Sequence, residues 1–225
     1  MSQADQLKQL VGKEAVNYIK DGMKVGLGSG TTMYYAVKAL GERVKQGLTV
    51  VGVPTSNRTA AWAKEFGVPL TDFSEVQELD LAIDGADEVD PNLQLIKGGG
   101  GALLREKVVA DAAKEFLVIV DSSKLVDHLG KFLLPVEVVP FGWEVTAHKI
   151  SQFGCKPVMR KIDGEVFVTD NGNYILDCNF EQILEPQKLH NELIDLVGVV
   201  ETGLFTDMTW KVLVGKDGKI EVIDK

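Results

Sequence analysis

The chain has 225 residues, of which 45% are hydrophobic and 25% charged, and its formal charge is −9. That length and balance describe an ordinary soluble protein able to bury a core as one large domain or two modest ones. The acidic excess argues against a nucleic-acid surface, which needs clustered Lys and Arg, so an anionic ligand would have to be met by a local basic pocket.

Residues 1–20 carry Leu7, Leu10, Val11, Ala15, Tyr18 and Ile19 at helical spacing and contain no uninterrupted apolar segment. The stretch reads as an amphipathic helix rather than a signal peptide or membrane anchor, and a cytoplasmic location is expected. Residues 23–27 read as a strand, and Gly28-Ser29-Gly30-Thr31-Thr32 then opens a helix with Met33, Ala36, Val37, Leu40 and Val44 on one face. Strands are predicted over 49–53 and 68–70 with a helix over 57–66 between them, then strands over 79–83 and 93–96. A helix marked by Leu104, Val108 and Ala112 and a strand over 116–120 follow. The near-continuous apolar run at 79–83 suits a strand buried on both faces. This alternation predicts an α/β fold, a Rossmann-like, mostly parallel sheet flanked by helices.

From about Leu133 the order becomes strand 135–140, helix 143–153, strands 157–160 and 174–177, helix 186–196 and strand 199–204. That is the split β-α-β-β-α-β unit of a second, smaller, ferredoxin-like α+β domain. The tail, 210–214 and 219–223 around a Lys-Asp-Gly turn, reads as a hairpin returning to the first domain. The expected division is 1–131 plus 207–225 for the α/β catalytic domain and 132–206 for the ferredoxin-like one. Cys155 and Cys178 have no C-x-x-C spacing and read as free thiols, and three scattered histidines give no zinc pattern.

Polar clusters sit directly after four predicted strands: Ser29-Gly30-Thr31-Thr32, Pro54-Thr55-Ser56-Asn57, Asp84-Gly85-Ala86-Asp87-Glu88 and Asp121-Ser122-Ser123-Lys124. In a parallel sheet all four emerge at one edge, where open α/β sheets bind ligands. The Gly28 to Thr32 loop offers N–H groups and hydroxyls at a helix N-terminus, suited to phosphate; a threonine cap on a tight turn is the plainer reading. A dinucleotide site fits poorly, because the third glycine position of G-x-G-x-x-G falls on Thr31 and no acid ends the second strand. A Walker A loop is excluded, since no Gly-Lys-Ser/Thr follows.

Asp84, Asp87, Glu88 and Asp90 form an acidic cluster that could cap turns, hold Mg²⁺ or do acid/base work on sugar hydroxyls. Lys97 precedes four consecutive glycines, Gly98 to Gly101, which expose bare backbone to a small polar ligand at a high entropic cost. Glu106, in the first turns of the next helix, gains from the helix dipole. A carboxylate base with a nearby cation is also what proton abstraction beside a carbonyl requires.

These motifs, in order and spacing, resemble the ribose-5-phosphate isomerase family of the A type. The resemblance rests on Gly28-Ser29-Gly30-Thr31-Thr32, Asp84-Gly85-Ala86-Asp87-Glu88, the run from Lys97 to Lys107 and Asp121-Ser122-Ser123-Lys124. It continues through Gly130-Lys131-Phe132-Leu133-Leu134-Pro135-Val136-Glu137-Val138 and Thr169-Asp170-Asn171-Gly172-Asn173, so it runs nearly end to end. It implies interconversion of ribose 5-phosphate and ribulose 5-phosphate through a cis-enediolate, in the non-oxidative pentose phosphate pathway, without metal or organic cofactor. By position, Glu106 would be the base, Asp84 would assist ring opening and proton movement, and Asp87 and Lys97 would bind and polarise the C1 to C3 oxygens. Ser29, Gly30, Thr31 and Thr32 would hold the phosphate with Lys124 and Lys8, and Gly85, Ala86, Gly98, Gly99 and Gly100 would line the sugar. The implied partners are the sugar phosphate and further copies of the chain, as homodimer or tetramer, with neither nucleic acid nor membrane. Two other classes compete: a non-catalytic sugar-phosphate sensor, for which too few residues precede the first strand to hold a DNA-binding module, and a hexosamine-phosphate isomerase or deaminase, or a CoA transferase, on a similar sheet.

Overall fold

A computed structural model describes residues 2–225. In chain order these form helix α1 (Gln3–Val16), strand β1 (Lys24–Leu27), α2 (Thr31–Lys45), β2 (Val51–Pro54), α3 (Asn57–Phe66), β3 (Leu81–Asp84), β4 (Glu88–Val89), β5 (Leu95–Ile96), α4 (Leu103–Asp111) and β6 (Phe116–Asp121). A single 3-10 turn, Ser122–Lys124, ends β6. There follow β7 (Leu134–Val138), α5 (Trp143–Ser151), β8 (Lys156–Met159), β9 (Lys161–Ile162), β10 (Glu165–Val166), β11 (Tyr174–Asn179), α6 (Pro186–Ile194), β12 (Val199–Thr202), β13 (Leu204–Phe205), β14 (Lys211–Lys216) and β15 (Lys219–Asp224).

The chain packs as two units. The first takes the residues up to Ala86, Arg105–Lys124 and Met208–Lys225; the second takes Asp87–Leu104 and Leu125–Asp207. Spacing along the sequence groups 87–104 and 125–131 with the first unit, whereas packing groups them with the second. The physical reason is pairing: β5 lies between β4 and β13, and Val126 N–H donates to the Val89 carbonyl at 3.0 Å.

In the first unit the sheet order is β15-β14-β6-β3-β1-β2, parallel except for the edge strand β15. The tail hairpin joins this sheet, with β14 beside β6. Strands covered on both faces must be apolar throughout, and Leu81, Ala82, Ile83 and Phe116 to Val120 are all buried. Each fully buried Leu or Ile here contributes roughly 1.5–3 kcal/mol. Helix α4 runs antiparallel to the parallel strands. Its far end is tied to the chain just before β3, where Leu79 N–H donates to the Ala112 carbonyl (2.8 Å) and Lys114 N–H to the Leu79 carbonyl (2.9 Å). Its first turn therefore sits at the carboxyl ends of the strands. The predicted strand at 68–70 is only a bridge of Leu70 to Gly52.

In the second unit β12-β7-β11-β8 form an antiparallel sheet in the order of a ferredoxin-like split unit. Alternate residues Leu134, Val136 and Val138 of β7 face a core shared with Ile150 of α5 and Leu193 of α6. Two expected strands differ. The one at 93–96 starts only at Leu95, because Leu93 adopts φ 59° in a turn that Asp90 organises. The one at 199–204 breaks at Gly203, whose carbonyl accepts from Lys97 N–H at 2.9 Å while β13 pairs with β5. Both cysteines are buried and free. Among the described residues no helix is long and apolar enough to cross a membrane.

Candidate active site

In the first unit, β1, β2, β3 and β6 deliver their polar ends to one edge, as the alternation of elements predicts. Gly28 follows β1 so closely beside β3 that a Cβ there would lie 2.1 Å from Asp84 Cγ. Asp84 is 3% exposed, and its Oδ1 accepts from Ser29 N–H (3.0 Å) and Gly85 N–H (2.7 Å). The backbone thus holds the carboxylate at Oδ1 through two amides. Ser29 Oγ lies in a hydroxyl web, donating to Ser56 Oγ (2.8 Å) and meeting Thr55 Oγ1 (2.8 Å), while Thr59 donates to the Gly28 carbonyl (2.9 Å). Ser56, Thr55 and Thr59 therefore shape the loop after β1. Sequence reading placed Thr55 and Ser56 at this edge without a role, and Thr59, inside a helix, carried no signal.

Gly30 precedes α2 at φ 90° with no side-chain cap on the helix, so the first amides of α2 face outward with their partial positive charge. Lys8 on α1 donates to Thr31 Oγ1 at 2.9 Å, which brings a cation to that N-terminus. Lys124 is half-buried in the turn that ends β6 at the same edge. Glu106 is 6% exposed in the first turn of α4, and Val109 one turn later packs against Gly26 of β1. Lys8, Ser29 to Thr32, Asp84, Gly85, Ala86, Glu106 and Lys124 thus belong to the first unit, and Asp87 and Lys97 to Gly100 to the second.

In the second unit Asp87 Oδ2 accepts from Gly99 N–H at 2.8 Å. Lys97 is 3% exposed, its ammonium 5.3 Å from the centre of the Phe205 ring. The glycine run is an ordered turn: Gly98, at φ 103°, needs the freedom of glycine, and its carbonyl accepts from Gly101 N–H at 3.0 Å. Glu88 is buried with Oε2 accepting from Gly130 N–H (2.7 Å) and Oε1 from Phe132 N–H (2.5 Å). Asp90 Oδ1 accepts from Asn92 and Gln94 N–H, and burial holds its carboxyl above the ordinary value against those bonds. Glu88 and Asp90 are accordingly loop organisers. Among the described residues no three His, Cys, Asp or Glu side chains gather as a metal site would need. A cleft of about 820 Å³ in the second unit is bordered by Asp90, His128, Glu185 and Asp207, and of the candidate residues Asp90 alone lines it.

A parallel sheet whose carboxyl edge presents an uncapped helix N-terminus, lysines and two buried carboxylates defines the class of α/β enzymes acting on small anionic metabolites. Residues 51–219 match the family of ribose 5-phosphate isomerase A, also called phosphoriboisomerase A, and the chain belongs to that family. It is 58% identical over 223 residues to ribose-5-phosphate isomerase A 1 of Oceanobacillus iheyensis, covering 99% of this chain and 100% of the relative. It is similar in structure to the ribose 5-phosphate isomerase A of Methanocaldococcus jannaschii, with TM-score 0.95, 43% identity and coverage of 99% and 100%. A D-ribose-5-phosphate isomerase solved in complex with phospho-erythronic acid superimposes with TM-score 0.96 at 40% identity, covering all of both chains.

Proposed function

We propose that this protein interconverts D-ribose 5-phosphate and D-ribulose 5-phosphate. Glu106 takes the C2 proton of the open-chain aldose, the electron pair moves onto the C1 carbonyl oxygen, and the cis-enediolate takes the proton back at C1 while the O2 proton is transferred to O1, which leaves the C2 carbonyl and the C1 hydroxyl of the ketose. Asp84 handles ring opening and the hydroxyl protons, and Asp87 and Lys97 bind and polarise the C1 to C3 oxygens. The α2 N-terminus with Ser29 to Thr32, Lys8 and Lys124 holds the phosphate, and the backbone of Gly85, Ala86 and Gly98 to Gly100 lines the sugar. The same reading makes the protein a cytoplasmic homodimer or tetramer of the non-oxidative pentose phosphate pathway.

The observation that carries this reading is a buried Glu106 in the first turn of α4, at the sheet edge where Asp84 is pinned by two amides. The relative's ligand supports it, because the planar carboxylate of phospho-erythronic acid presents two oxygens much as an enediolate does. Phosphate held away from the reacting carbons positions C1 and C2 against the base.

The test is an isomerase assay on ribose 5-phosphate in excess EDTA. Activity at the untreated rate is expected; no turnover of ribose 5-phosphate would refute the reading, and loss with EDTA that Mg²⁺ restores would turn the acidic cluster into a metal site. Lys124→Ala is expected to raise KM roughly tenfold with kcat near wild type, the pattern of uniform binding through a charged contact. A loss in kcat alone would remove Lys124 from the phosphate group.

A further inference from the structure

Four glycines have no side chains with which to anchor themselves, and they lose more freedom on ordering than any other residues. One bond within the run, Gly101 N–H to the Gly98 carbonyl, closes the turn, and further anchoring comes from outside it, from Arg160 just after β8. Arg160 Nε and Nη2 grip Asp177 Oδ2 and Oδ1 of β11 at 2.9 and 2.5 Å. Its Nη1 donates to the Gly98 carbonyl at 2.8 Å and to the Gly99 carbonyl at 3.3 Å. The pair is largely buried, with 11% and 18% of the two side chains exposed.

A buried ion pair is weak evidence for stability, since desolvation offsets its attraction and well-packed apolar residues often do as well. Apolar residues cannot donate to two carbonyls, and lysine lacks the fork that serves a carboxylate and two carbonyls at once. The direction of those carbonyls matters because in a trans peptide the C=O and the N–H point opposite ways. With the Gly98 carbonyl held by Arg160, Gly99 N–H points away from it and meets Asp87 Oδ2 at 2.8 Å. With the Gly99 carbonyl drawn the same way, Gly100 N–H likewise points away from Arg160. Around Gly100 there is open space, with nothing within 4 Å of a Cβ built there.

We propose that Arg160, braced by Asp177, is a positioning residue for the isomerisation: it orients the Gly99 and Gly100 amides and, through Gly99, the Asp87 carboxylate. This rests on the reading of Asp87 and residues 97–100 as sugar-binding. Arg160 itself touches no substrate atom in this account.

The test compares wild type with R160K and with the double variant R160M/D177L, which removes the buried charges together so that neither is left unpaired. Two readouts are taken on folded protein: hydrogen exchange of the peptide spanning 98–104, and kcat, KM and inhibition by inorganic phosphate. The double variant is expected to exchange that peptide at least roughly tenfold faster and to lose about 10- to 100-fold in kcat, the scale of a misplaced binding group. Phosphate inhibition should stay within about twofold of wild type, because the phosphate handle lies on other residues, and R160K should recover part of the kcat. Unchanged exchange would overturn the clamp, and faster exchange with kcat within about twofold of wild type would reduce it to structure alone. K97A at wild-type turnover would instead overturn the sugar-binding reading beneath the proposal.

Discussion

Glu106→Gln is expected to lower kcat on ribose 5-phosphate by about 10²- to 10⁴-fold, the range a positioned general base supplies. Glutamine keeps the size and most of the hydrogen-bonding capacity of the side chain, so packing around this buried position is preserved. In the proposed mechanism, what disappears is the capacity to accept the C2 proton. Substrate is held mainly through the phosphate and sugar oxygens, so KM should change by no more than a few fold. The loss of a negative charge in the first turn of α4 costs up to about 2 kcal/mol of helix-dipole interaction at a buried position, less than the stability of a typical domain, so the variant should fold. A steady-state assay beside a thermal melt checks both halves. A folded variant with kcat within about threefold of wild type would remove Glu106 from the chemistry.

The second large effect is expected from a single methyl group. In Gly28→Ala the new Cβ would lie 2.1 Å from both Asp84 Cγ and Oδ1 and 2.5 Å from Asp84 Cβ. Asp84 is short, buried and held by the Ser29 and Gly85 amides, so it yields only by giving up those bonds. Overpacking costs about 1–3 kcal/mol. Leaving buried partners unsatisfied adds about 1–3 kcal/mol. Denaturant unfolding should therefore show a loss of roughly 2–6 kcal/mol, and the folded fraction should turn over at least about 10²-fold more slowly through the displaced carboxylate. Gly85→Ala is the contrast, since its Cβ would meet only the Ile119 carbonyl at 3.7 Å, an ordinary contact. If both variants were equally stable, the close approach of β1 to Asp84 would not constrain the site.

The first unit's edge was legible because each informative residue sits within a few positions of a strand end, where an apolar run stops and polar residues begin. Leu81 to Ile83 ending at Asp84 is the clearest case, and the parallel order of β2, β1, β3 and β6 makes those ends neighbours. Lys8 was found only through family resemblance, since its partner Thr31 lies across a helix contact that no spacing reveals. The domain boundaries were less legible. The two-residue strands β4, β5 and β13 are too short for any periodicity, yet their pairing decides which unit residues 87–104 join. Arg160 was invisible as a functional residue because its partners, Asp177 and two glycine carbonyls, are distant in sequence. Glu88 shows the reverse failure: it looked like part of an acidic site, but both its oxygens accept from the Gly130 and Phe132 amides.

Proton transfer between C2 and C1 through Glu106, as proposed, exposes the migrating hydrogen to exchange with solvent deuterium. Ribose 5-phosphate is incubated with the enzyme in D₂O and the label is located by NMR in product and recovered substrate. Deuterium is expected at C1 of ribulose 5-phosphate and at C2 of the returned aldose, with both signals suppressed at least about 10²-fold in Glu106→Gln. Complete isomerisation with protium kept at both carbons, at an undiminished rate in Glu106→Gln, would contradict it, because the hydrogen would then have moved without that carboxylate.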